Sequence, residues 1–194
     1  MKISWLNRVS ILSGEDSCAK ACSPLLLRYV PMSNTEPVST QLTGVAGVHF
    51  VASRLSFLAF HAVPTTRNVR GPDLLVSTLD GSAMLSIQVK TTIAAMRTRG
   101  RGEQRKPNHY EWDIGWSSAR QNNERLFFAL VDLRNYENMP DIYVLPSRVI
   151  YKYFEGGDPQ TWTRARYHPS ISDIDVYRNN WQIISIALNG QAKQ

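Results

Sequence analysis

The dipeptide Asp80-Gly81 sits between two runs rich in apolar residues, Leu74 to Leu79 and Ala83 to Thr91. Asp-Gly between such runs is the strongest short-range signal for a tight β-hairpin, because glycine accepts the positive φ the turn needs. A hairpin fixes register, and register fixes which side chains share a face. With Asp80 and Gly81 as the turn, Leu79 pairs with Ser82, and every later pair has residue numbers adding to 161. Asp73 then stands opposite Gln88. Directly paired residues point to one face with Cβ atoms about 5 Å apart. Lys90, two residues further on, shares that face. Leu74, Val76, Leu85, Ile87 and Val89 point the other way, into a core. A carboxylate, an amide oxygen and an ammonium therefore gather on one side of the sheet.

Hard divalent cations take oxygen ligands. Asp73 and the Gln88 side-chain oxygen can supply two, and the Val89 backbone carbonyl a third. Lys90 beside a metal-bound water and a phosphate can orient the nucleophile and offset the charge that builds up in phosphodiester cleavage. The competing reading, which spacing alone favours, is a surface salt bridge from Asp73 to Lys90 on a solvated sheet face.

Elsewhere the chain patterns as a folded domain. Hydrophobic residues make up 43% and charged residues 20%, which excludes a disordered chain. No run approaches the ~18 consecutive apolar residues of a membrane span. Cys18 and Cys22 are too few for a disulfide framework. They have no nearby Cys/His pair to complete a zinc site, since His49, His61, His109 and His168 are scattered. Free thiols and a cytoplasmic location are the expectation. Residues 1–40 read as an N-terminal tail or extension, with Met32 an alternative start, and residues 41–194 as the domain. Thr43 is the expected N-cap of a helix over 44–60, with Val45, Val48, Val51, Leu55 and Leu58 as its apolar stripe.

His61 to Thr66 predicts a short strand, and residues 93–111 a polar, basic loop. Leu126 to Leu133 and Ile142 to Leu145 predict buried strands. Ser147 is the expected cap of a helix through Phe154, and Trp181 to Leu188 is apolar but of open type. Helix, three strands, loop, two strands and helix describe an α/β domain: a central mixed sheet of about four to five strands flanked by helices. No serine nucleophile elbow, P-loop, dinucleotide glycine fingerprint or HExxH motif is present.

Lys and Arg exceed Asp and Glu by 22 to 16, a net charge of +6. Such an excess suits a polyanionic partner. Arg97, Arg99, Arg101, Arg105 and Lys106 crowd one short stretch directly after the Lys90 strand, with Glu103 the lone acid. Arg67 and Arg70 lie in the loop entering Asp73. Beside a phosphate-cleaving centre these cations would contact a nucleic-acid backbone, with affinity falling steeply in salt. A merely solvated loop is the competing reading. Tyr110, Trp112 and Trp116 follow the basic run and fit a core better than a base-stacking platform. Tyr151, Tyr153, Phe154 and Trp162 are expected to pack a C-terminal helix.

Gly71-Pro72-Asp73, fourteen intervening residues and Gln88-Val89-Lys90 resemble the signature of the PD-(D/E)XK nuclease superfamily. Gly44-Val45-Ala46-Gly47, Phe50-Val51-Ala52, Asn68 to Asp73 and Ile87 to Thr91 are similar to a bacterial branch in which Gln replaces the second acid. Some intron-encoded homing endonucleases share that variant. Phe127 to Leu133 and Pro140 to Ser147 resemble the two strands and helix start that follow. The likeness spans residues 42–150. It implies a restriction-endonuclease-like core and an Mg²⁺-dependent (or Mn²⁺-dependent) deoxyribonuclease. Asp73, Gln88 and Lys90 would be catalytic, Asp73 and Gln88 would be metal ligands, and a homodimer on DNA is possible. One departure stands out. The family's first helix usually carries a metal-binding Glu where this chain has Val48, and His49 is rotated about 100° away along a helix. A catalytically weak relative that binds DNA or a protein partner is the alternative.

Overall fold

A computed structural model describes residues 39–66, 71–135 and 139–191. Most of the expected tail, with Cys18, Cys22 and Met32, lies outside these residues, as do Arg67 and Arg70.

Helix α1 spans Thr40–Phe57. It starts a turn earlier than expected, because Ser39 rather than Thr43 is the N-cap. The Ser39 hydroxyl accepts the Leu42 N–H at 3.2 Å, and Thr43 donates back to the Ser39 carbonyl at 3.0 Å. Both residue types cap helices, so the two positions compete and sequence alone does not choose between them. The strands β1 (His61–Pro64), β2 (Leu74–Ser77) and β3 (Met84–Thr92) follow. They form an antiparallel meander in which β2 and β3 pair Leu74 with Ile87 and Val76 with Leu85. These are the pairs whose numbers add to 161. The ladder opens before the turn, since the strands stop at Ser77 and Met84. Gly81 takes a φ of 71° there.

The basic stretch 93–111 is a second hairpin rather than a loop. Strands β4 (Met96–Arg99) and β5 (Lys106–Tyr110) pair antiparallel, with an irregularity between Arg97 and Thr98 and a 3₁₀ turn at Gly102–Gln104. Its strands carry almost no alternating apolar set, so periodicity could not reveal them. Short β6 (Trp112–Asp113) and helix α2 (Trp116–Ala119) lead to β7 (Leu126–Asp132) and β8 (Asp141–Pro146). Ser147 opens helix α3 (Ser147–Tyr153) from inside. Its hydroxyl donates to the Asn123 carbonyl at 2.7 Å and accepts the Asn123 N–H at 3.0 Å, and Pro146 is the cap residue. Strand β9 (Arg166–Tyr167) pairs with β6, and helices α4 (Ile171–Asp175) and α5 (Gln182–Gln191) complete the described chain. The apolar segment of open type is thus mostly α5.

The sheet order is β1-β2-β3-β7-β8, with β3 and β7 parallel and the other pairs antiparallel. Each face is covered by its own core. Val51 and Leu55 of α1 and Ile184 and Leu188 of α5 pack on Leu85, Ile87, Phe127 and Val144. On the opposite face, Trp112, Tyr110, Tyr167, Ile150 and Phe154 pack on Phe128, Leu130, Tyr143 and Leu145. Strand β7 is buried at all seven residues, as a strand covered on both faces must be. Tyr110 and Trp112 are therefore core residues, whereas Tyr153 and Trp162 keep 42% and 49% of their surface exposed. The glycine at 47 has a packing role. A Cβ there would lie 1.9 Å from Thr91 Oγ1, so α1 rests on β3 at a distance only glycine permits.

Candidate functional site

The site is built around the C-terminal half of β3. Asp73 ends the loop before β2, and its backbone N–H donates to the Ile87 carbonyl at 2.9 Å. Its carboxylate Oδ2 accepts the Val89 N–H at 2.7 Å. A side chain that caps a neighbouring strand in this way is positioned by backbone, not by a mobile partner. Asp73 lines a cavity of about 510 Å³ together with Gln41, Val45, Val48 and His49 of α1 and Thr65. The helical steps between 41, 45 and 48 present one face of α1 to that cavity.

Gln88 pairs with Phe128 and Lys90 with Leu130 across the parallel β3–β7 ladder. Both lie on the sheet face that carries the second core, and both are half-buried. Lys90 lines a different cavity, of about 190 Å³, with Arg97, Glu111, Asp113, Arg164 and Arg166. Burial pushes its ammonium below the ordinary lysine range, and the carboxylates of Asp73 and Asp113 only partly offset this. Among the described residues no ion pair joins Lys90 to Asp73. Asp73 and Lys90 thus line two different clefts at β3, and the Lys90 ammonium still feels the Asp73 charge.

The expected cations separate by exposure. Arg99, Arg101, Arg105 and Lys106 stand on the exposed outer part of the β4–β5 hairpin. Arg97 turns inward and donates to Glu111 Oε1 at 3.3 Å. Glu111 also takes Arg166 Nη1 at 3.3 Å and meets His168 Nε2 at 3.4 Å. Burial works against its charge, but the Arg97 hydrogen bond and the charges of Arg97, Arg166 and His168 outweigh it and hold the carboxyl below the usual range. Asp113 meets Arg164 Nη1 at 3.6 Å. Arg164, Arg166 and His168 carry no motif and were not singled out in the sequence. The only available signal was the alternating Arg164-x-Arg166-x-His168 pattern.

For a divalent cation, Asp73 and Gln88 offer the right oxygen chemistry but a single negative charge. One Asp73 oxygen already serves the Val89 N–H. Glu111 and Asp113 are engaged by arginines. No group of three or more His, Cys, Asp or Glu side chains suited to a metal exists among the described residues. Mg²⁺ commonly keeps waters and uses one or two carboxylates plus substrate phosphates. The donor set therefore fits an ion held jointly with a phosphate, not a closed protein cage.

No helix among the described residues is long and apolar enough to cross a membrane. No family model and no curated protein matches the chain. Among solved structures, the chain is similar to that of the bacterial homing endonuclease I-Ssp6803I, with a TM-score of 0.52 and 18% identity. The match covers 81% of this chain and 99% of that one. At such identity the likeness is one of fold: a mixed five-stranded sheet flanked by helices.

Proposed function

We propose that this chain is a metal-dependent endonuclease acting on DNA phosphodiester bonds, a PD-(D/E)XK-type site with Gln88 in place of the second acid. The observation that carries the reading is the Asp73 carboxylate held against the Val89 N–H at 2.7 Å, at the middle of Gln88-Val89-Lys90. Asp73 and the Gln88 amide oxygen would hold Mg²⁺ or Mn²⁺ together with a substrate phosphate. The ion would supply Lewis-acid stabilisation of the phosphoryl oxygens and a more acidic water. Lys90, its ammonium weakened by burial, orients the attacking water by hydrogen bonding and faces the charge developing on the phosphate. Arg67, Arg70, Arg97, Arg99, Arg101, Arg105 and Lys106 contact the nucleic-acid backbone. A homodimer would bring two such sites to two strands.

Val48 supports a second reading. It places an apolar side chain where α1 meets the Asp73 cavity, and fewer charged ligands mean weaker metal binding. A relative that binds DNA or a protein partner with little cleavage follows from that. The two separate on one assay. Incubation with supercoiled plasmid and Mg²⁺ or Mn²⁺ should give nicked product that is absent with EDTA and with Lys90→Ala. Plasmid left intact by the wild type under every such condition favours the binding protein.

A further inference from the structure

We infer that the segment Trp162–His168 forms a second wall of the nucleic-acid groove, with Arg164 and Arg166 as phosphate contacts. Glu111 holds Arg166, and Arg97 beside it, in place until a phosphate displaces the carboxylate, and Asp113 pairs with Arg164. The inference rests on the proposed function, because it extends the same interface to residues that no motif marks.

Arg164 and Arg166 line the Lys90 cavity and also the next one, of about 460 Å³, where they meet Tyr153, Trp162 and His168. The two cavities share Arg164 and Arg166 in their linings and so lie next to each other. The wall is tied to the second core, since β9 pairs Arg166 with Asp113 and Tyr167 with the buried Trp112. Four cations, Lys90, Arg97, Arg164 and Arg166, face two carboxylates, Glu111 and Asp113, in the first cavity. That imbalance leaves an excess of two positive charges for an anion to meet. Glu111 bridges Arg97 and Arg166 through one oxygen at 3.3 Å to each. Guanidinium groups converging on one oxyanion are the arrangement that arginines offer to a phosphate. A phosphodiester brings several oxygens to the same donors and competes with the carboxylate.

The aromatic content of the groove points the same way. Trp162 is half exposed although it is a tryptophan. Its carbonyl accepts the Trp116 Nε1–H at 2.9 Å, and its ring leans on Trp116 with centroids 6.2 Å apart. A half-exposed indole beside Arg164 and Arg166 offers a surface on which a nucleic-acid base can stack.

The test is fluorescence anisotropy with a labelled DNA duplex, without divalent cations, between ~50 and ~200 mM salt. Arg164 is exposed and its one ion pair, to Asp113, is long, so Arg164→Gln should fold. It should lower the slope of log affinity against log salt by about 0.9, one phosphate contact. Arg164→Gln with Arg166→Gln should lower it by about 1.8. Glu111→Gln should tighten binding about threefold by freeing Arg97 and Arg166, the scale of one modest charge interaction. Arg148→Gln, outside this groove, should match the wild type. If the wild type binds but Arg164→Gln keeps both affinity and slope, this inference fails and the endonuclease reading survives. If the wild type binds no duplex at any salt, both fail.

Discussion

The two clefts beside β3 are built from opposite materials. The Asp73 cleft is walled by α1, offers one carboxylate already bonded to backbone, and presents Val48 where a second acid would help. The Lys90 cleft is smaller and crowded with charge, and its carboxylates are neutralised by arginines. The two clefts meet at β3, where Val89 lines the first and Lys90 the second. The difference teaches a division of labour. On the proposed reading, attraction for a polyanion would be concentrated on the Lys90 side and affinity for a cation would be thin on the Asp73 side. A substrate phosphate drawn in by the first would complete the ligand set of the second.

Changes at four positions test this asymmetry. The largest effect is expected for Lys90→Ala, which should reduce plasmid cleavage by ~100-fold or more, the scale of losing one preorganised charge. Lys90→Met should melt no lower than the wild type. The folded ammonium titrates below the unfolded one, so its charge destabilises the fold at neutral pH, and that penalty fades as pH rises above the folded value toward 10.5. A melting temperature that falls sharply for Lys90→Met would argue that the ammonium is well paired.

Next, Asp73→Ala should lower stability by ~1–3 kcal/mol, because the Val89 N–H loses its acceptor. Asp73→Asn keeps an acceptor oxygen and should lose cleavage with much less loss of stability. Urea melts of both variants check this. Val48→Glu should tighten Mn²⁺ binding by about tenfold, read by calorimetry without DNA. No gain would mean that the Asp73 cleft is not where a cation sits. The smallest effect concerns Glu111, whose folded pKa lies below its ordinary 4.5. Its contribution to stability is present above that value and is lost as pH falls through the folded one. Melting curves of wild type and Glu111→Gln should therefore converge at acid pH, from a gap of ~2 °C or less near neutrality.

How much of this was legible depended on which residues carry a core. Hairpin β2–β3 was readable to its register because Leu74, Val76, Leu85 and Ile87 alternate and all lie at 2% exposure or below. Hairpin β4–β5 was not, since Arg97, Thr98, Arg99, Lys106 and Asn108 alternate nothing apolar. Its pairing is set by cross-strand hydrogen bonds and by the seating of Tyr110 in the second core. The composition of the candidate site was legible through Asp73, Gln88 and Lys90. Its partition into two clefts was not, because Asp73 stands just before β2, where strict alternation ends. The convergence of Arg97, Arg166 and His168 on Glu111 joins residues up to 71 positions apart, and local patterns do not encode such contacts. Trp162, expected to pack a C-terminal helix, is half exposed beside Trp116.

The contact between Gly47 and Thr91 makes the missing methyl group a gauge. A Cβ 1.9 Å from Thr91 Oγ1 cannot be absorbed by a rotamer change alone, because Thr91 is β-branched and has few alternatives. Any larger residue at 47 would lift α1 from β3 next to Lys90 and widen the gap between Val48 and Asp73. The spacing of the cation-poor cleft is thus calibrated by an atom the chain does not have. Adjustments to that spacing through position 47 can run only toward a wider opening, never a narrower one.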